Sequence, residues 1–187
     1  KCTMVGDQGG PFSYPGDYFS AEAPEKYKIK GSFGHPVPVV DGKTQSSGAK
    51  ASAIVLKKEF TYGKDLLSID YTSAYSTPSL DKLVRTFVYD RQEKGNFTVG
   101  DEFTANAPIR FETAITTQAN WKIIDDTHLL LTTGTEQMTV TIEASGKVAF
   151  TSETIEVNSP AYKRIGISLK EQSKDGYIRL TMRTKQL

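Results

Sequence analysis

Residues 31–42 hold one of the chain's two histidines, His35, between two glycines and two prolines. Gly31 and Gly34 permit backbone angles that other residues resist, and Pro36 and Pro38 stiffen the segment that follows. An imidazole mounted in this way points in a set direction. Near neutral pH it is a candidate proton carrier or metal ligand. The plainer reading of the same residues is a turn histidine with a local hydrogen bond.

Other residues with chemistry in them are weighed in the same way. Arg85, between Val84 and Thr86 in an apolar run, is costly to bury unpaired, so the sequence predicts a carboxylate partner such as Asp101 or Glu112. That makes it a structural ion pair, or a substrate-carboxylate clamp if it faces a cleft. Trp121, with Tyr71, Tyr75 and Tyr89, could stack on sugar faces or fill a core. Glu112 invites an acid/base role, but no partner carboxylate is visible beside it. His128 follows Asp125-Asp126-Thr127 and reads as a hairpin turn between Trp121–Ile124 and Leu129–Leu131. The single cysteine, Cys2, excludes an intrachain disulfide.

Composition narrows the partners. With 23 basic and 22 acidic residues in 187, the net charge is +1, which argues against nucleic acid as a general partner. It leaves room for an acidic glycan held by a local basic patch. No apolar run approaches the roughly 18 residues that span a membrane, and no signal peptide is visible. Asn96-Phe97-Thr98 matches a glycosylation sequon, which matters only in a eukaryotic secretory protein.

The elements that must position these residues are β-strands. Met138, Val140 and Ile142 alternate with polar neighbours, as do Ile165, Ile167 and Leu169, and Ile178, Leu180 and Met182. Leu83–Tyr89 carries large residues on both faces, which predicts a central strand covered on each side. Turn signals recur at Asp41-Gly42, Tyr62-Gly63-Lys64, Lys94-Gly95-Asn96, Ser145-Gly146-Lys147 and Lys174-Asp175-Gly176. The expected fold is all-β, a large antiparallel β-sandwich over residues 25–187. Residues 1–24 form an irregular arm, broken by Gly and Pro and rich in aromatics (Phe12, Tyr14, Tyr18, Phe19), which packs on the sheet or on a neighbouring domain.

The segment Ser32–Gln45 resembles the opening of the β-rich C-terminal part of heparinase II/III-like polysaccharide lyases. There, a flanked histidine precedes a short strand and a turn of the type "vDG-x-x-Q". The likeness continues in order through Asp65–Asp70, Ala74-Tyr75, Leu83–Asp90, Val99–Phe103 and Phe111–Ala114, and covers roughly residues 30 to 150. It implies a domain that follows an α/α toroid in a longer chain. It also implies β-elimination on a uronic-acid glycan such as a glycosaminoglycan, in the periplasm or outside a bacterial cell. The family's main acid/base set sits on the toroid, so the resemblance carries over only His35 as catalytic or cleft-lining, and only in the full protein. The isolated chain is expected to be inactive.

Some members also hold zinc in this domain, which makes His35 and Asp70 the metal candidates. Only two histidines, far apart in the chain, argue against a tight zinc site. Arg85 and Trp121 are the candidate substrate contacts. The alternative is a non-catalytic carbohydrate-binding or structural β-sandwich module.

Overall fold

The computed structural model describes residues 3–7, 9–11, 13–92, 95–156 and 161–185. The sequence readings that fall on Cys2, Phe12 and Lys94 therefore lie outside the described residues. The alternating segments fold as strands β1 (Val39–Val40), β2 (Ile54–Phe60), β3 (Lys64–Asp70), β4 (Leu80–Asp90), β5 (Asn96–Ile109) and β6 (Phe111–Thr117). They continue as β7 (Asn120–Asp125), β8 (His128–Thr133), β9 (Glu136–Ala144), β10 (Val148–Ile155), β11 (Tyr162–Leu169) and β12 (Ser173–Lys185). The single α-helical turn among the described residues is Ala23–Lys26.

Two antiparallel sheets result. The smaller runs β1-β6-β11-β10, and the larger runs β2-β3-β4-β5-β12-β9-β8-β7. Period-two alternation sends Leu83, Leu129, Leu131, Val140, Ile165, Ile167 and Ile178 into the space between them, where all are fully buried. Phe103 of β5 stacks on Phe111 of β6, with ring centroids 4.6 Å apart. Only Arg110 separates those two strands, so the chain turns a corner from one sheet to the other. This is the antiparallel sandwich that the alternation predicts.

The arm packs on the smaller sheet. Met4 enters the main core, Gly6 donates its N–H to the Thr116 carbonyl at 3.2 Å, and the Thr117 hydroxyl donates to the Met4 carbonyl. On the outer face of that sheet, Tyr18 and Ile29 join Ile155 and Tyr162 in a second, smaller core.

Some turns differ from the sequence reading. Asp41 (φ 50°) and Gly42 (φ 73°) form the expected two-residue reversal, closed by paired bonds between Val40 and Lys43. Thr127 and His128 both bond the Asp125 carboxylate, which makes the expected β7–β8 turn. Ser145-Gly146-Lys147 instead carries the chain between the two sheets. Lys174-Asp175-Gly176 is no turn but lies inside β12, where the pairing with β5 slips. A side chain at Gly176 would meet Ser145 at 2.7 Å and Phe103 at 3.0 Å, so glycine serves close packing there. β4 is central in its sheet, but Val84, Thr86 and Val88 on its outer face are only half-buried, since no second layer covers them.

Burial sorts the expected mutational effects. Leu131→Ala should cost about 2–5 kcal/mol in urea denaturation. The exposed Ile123→Ala on the neighbouring β7 should stay within roughly 0.5 kcal/mol.

Candidate functional site

The Gly34–Pro38 segment runs along the edge of β6 just before β1, so side chains reach it from both faces of the smaller sheet. Prolines at 36 and 38 remove two N–H groups and leave a row of carbonyls that need donors. Each carbonyl has one. Tyr162 Oη donates to Gly34 O at 2.7 Å, and Val37 N to His35 O at 2.8 Å. Arg85 Nη1 donates to Pro36 O at 2.7 Å, and Tyr75 Oη to Pro38 O at 2.8 Å. Arg164 Nη2 makes a longer 3.5 Å approach to Val37 O.

The two arginine donors are themselves held by carboxylates. Arg85 and Asp101 lie directly opposite on β4 and β5. They pair in a fork, Nε–Oδ1 at 2.7 Å and Nη2–Oδ2 at 2.8 Å, with both side chains almost wholly buried. Tyr71 Oη and Thr113 Oγ1 complete the Asp101 carboxylate at 2.7 and 2.6 Å. Burial opposes the charge on Arg85, but the Asp101 carboxylate outweighs it and raises the guanidinium pKa. The sequence reading offered Asp101 or Glu112 as partner, and the pairing falls on Asp101. Glu112 instead accepts from Arg164 Nη1 at 2.6 Å, and the Arg164 guanidinium lies 4.4 Å from the Phe33 ring centroid.

Gly34 is dictated by proximity and not by backbone angle. A Cβ there would lie 2.3 Å from the Lys28 carbonyl oxygen and 2.8 Å from Ile29 Cα. Gly31 is extended at φ −81°, which any residue adopts. The glycine argument from sequence holds for position 34 on different grounds and lapses at 31.

His35 follows at once. Its Nδ1 faces both Asp7 oxygens at 2.9 and 2.8 Å, and its Nε2 lies 3.0 Å from Ile29 O. Both neighbours are acceptors, and a neutral ring donates to only one of them. The ring is about a quarter exposed (26%) and Asp7 half exposed, so the pair lies at the surface. Beside it opens a cavity of about 560 Å3, walled by Val5 and Asp7 of the arm, Pro36, Arg85, Phe87 and Phe97.

Of the other sequence candidates, Tyr71 and Tyr75 belong to the buried network just described, and the exposed Tyr89 lines the same cavity. Trp121 is on β7, at the far edge of the larger sheet, and packs against the main core. Tyr71 and Tyr75 are buried in contact with each other. Asp70 accepts from the Thr72 hydroxyl and N–H, which outweigh its burial and lower its pKa. His128 Nδ1 stays in its turn, 2.9 Å from Asp125, whose carboxyl is pulled down to about 2, first by the Thr127 N–H and then by His128. Among the described residues, no three His, Cys, Asp or Glu side chains gather to hold a metal. With His35 bonded to Asp7 and the Ile29 carbonyl and Asp70 to Thr72, the donors among the described residues do not fit a zinc ion.

Sequence reasoning missed Asp7, Tyr162 and Arg164. Arg164 carried the same signal as Arg85, a charge within an apolar strand. Asp7, in an irregular arm, carried none.

Removing one partner of the buried pair should be severe. Asp101→Ala should cost about 3–5 kcal/mol in urea denaturation, because it leaves the Arg85 charge uncompensated. A second test uses pH. Burial pushes the Tyr162 hydroxyl up to about 12 from its ordinary 10. The unfolded chain therefore ionises first, so the stability this group contributes is complete below pH 10 and lost as pH rises to about 12. Tyr162→Phe should flatten that alkaline fall in stability.

No protein-family model and no curated protein sequence matches the chain. Solved structures do. A heparan sulfate lyase HepC mutant from Pedobacter heparinus superposes with a TM-score of 0.71 at 15% identity, covering 98% of this chain and 29% of that one. A heparinase III gives 0.70 at 16% identity, over 95% of this chain and 27% of that one. A further heparinase III, with methylated lysines, gives 0.68 at 13% identity, over 97% and 28%. The chain thus spans less than a third of the length of these structures and shares the fold of that portion.

Proposed function

We propose that this chain is the C-terminal β-domain of a bacterial polysaccharide lyase that cleaves uronic-acid glycans by β-elimination. It would act with an α/α-toroid domain of the same protein, in the periplasm or outside the cell. The observation that carries the reading is the His35 loop. On a fold shared with heparinase III, a Gly-His-Pro segment is fastened at every carbonyl from 34 to 38, and its imidazole is left at the surface.

β-Elimination needs three things. A base removes the proton beside the uronate carboxylate, the carboxylate charge is neutralised, and the glycosidic oxygen leaves with a proton. The toroid would supply the main acid/base set, and His35 would complete the cleft. To meet substrate, a ring nitrogen of His35 would have to exchange its bond to Asp7 or to the Ile29 carbonyl for one to the glycan. Arg85 would act mainly through the loop, since Asp101, Thr113 and Pro36 take all but one of its N–H donors. A carbohydrate-binding module without chemistry is less well supported, because Trp121, Tyr71 and Tyr75 pack into the core and leave only Tyr89 of that set exposed, on the wall of the cavity.

The test is a lyase assay on a panel of uronate polysaccharides, following the unsaturated product by its ultraviolet absorbance. His35→Ala in the full-length native protein should lower turnover by about 10²-fold or more, with unchanged circular dichroism. An unchanged rate removes His35 from the mechanism. Lyase activity in the 187-residue chain alone would overturn the division of labour with a toroid.

A further inference from the structure

Every residue of β2 is exposed. The strand forms one edge of the larger sheet and overhangs the smaller one, with β3 on one side only. Its apolar residues stand in solvent, with Ile54 67% and Phe60 65% exposed and Tyr62, in the following turn, fully so. An unpaired edge of this kind is a template for another strand. Lysines on an edge ordinarily discourage such pairing, but Lys57 already lies 3.1 Å from Glu59 and is neutralised by it.

The backbone sets the register. Thr61 donates its N–H to Lys64 O at the β2–β3 turn. By antiparallel alternation Glu59 and Thr61 face β3, while Lys58 and Phe60 turn their N–H and C=O groups outward. About Lys58 the run Leu56-Lys57-Lys58-Glu59-Phe60 is self-complementary. Reversed on itself, it sets Leu56 opposite Phe60 and Lys57 opposite Glu59, twice over. Such apolar and opposite-charge cross-strand pairs are the stabilising kind.

We propose that β2 pairs antiparallel with β2 of a second copy of this chain, on a two-fold axis through Lys58, joining the two larger sheets into one. The pairing with β3 slips at Leu56, between Val55 and Lys57, so the ladder ends at that residue. A ladder of that length buries less than the roughly 1,200–2,000 Å2 of a stable interface, so association is reversible and concentration-dependent. The two Lys58 residues meet at the axis, a like-charge pair that weakens the dimer, and their long aliphatic stems let the ammonium groups splay into solvent. The inference is independent of any role for His35.

The experiment is sedimentation equilibrium of the native protein that contains this chain, over a concentration series. The wild type should self-associate. Glu59→Lys sets lysine against lysine and Lys57→Glu sets glutamate against glutamate, so each should weaken association about tenfold. The double swap K57E/E59K should restore it. Lys58→Pro removes an outward N–H but no bond to β3, and should abolish the dimer with circular dichroism unchanged. A monomer at every concentration, as when another domain covers β2, would overturn the proposal. So would a dimer indifferent to the single reversals and to Lys58→Pro.

Discussion

Arg85 and Asp101 face each other across β4 and β5, and the region around His35 is arranged by what that buried pair requires. Two charges taken out of water hold only if their remaining hydrogen-bonding capacity is met. Tyr71 and Thr113 meet it for the carboxylate, and the Pro36 carbonyl meets it for the outer guanidinium nitrogen. The loop is thus part of the solution to a desolvation problem in the core. Moving it would expose an unsatisfied arginine to an apolar interior.

The same accounting explains the prolines. A segment poor in N–H groups cannot pair with β6 as a strand would, so its carbonyls call for side-chain donors. Arg85 and Tyr75 approach from the inner face of the smaller sheet, and Tyr162 and Arg164 from the outer one. The loop sits at the sheet edge because only there can both sets reach it. Gly34 admits the approach of the Lys28–Ile29 backbone, and that backbone in turn offers the Ile29 carbonyl to His35. Asp7 closes the ring from the arm. Rigidity inside thereby sets direction at the surface, as a catalytic or binding side chain needs.

The unequal sheets have a further consequence. Eight strands over four leave overhang at both edges, and the apolar residues of β2 lie on one of them. A strand finished on one side only presents backbone groups as well as side chains, so its chemistry is that of pairing and not of packing.

Much of this was written in the chain itself. The alternation of Ile165, Ile167 and Leu169, or of Ile178, Leu180 and Met182, determined strands and hence a sandwich, because period two admits no other buried arrangement. A charge inside an apolar run foretold a partner for Arg85, and Asp41-Gly42 foretold a reversal. Local pattern could not tell that Lys174-Asp175-Gly176 would be a bulge, since the same residues suit either and the packing of Phe103 against Gly176 decided it. Nor could it separate Asp101 from Glu112 as the partner of Arg85, which strand register settled. Asp7 was unreadable because its role depends on where an arm without regular structure comes to rest. The chain by itself determined strands such as β4, β9, β11 and β12, and that His35 would be constrained. Tertiary structure alone decided what holds His35 and where it points, because carboxylates and carbonyls distant in sequence become neighbours only when the sheets close.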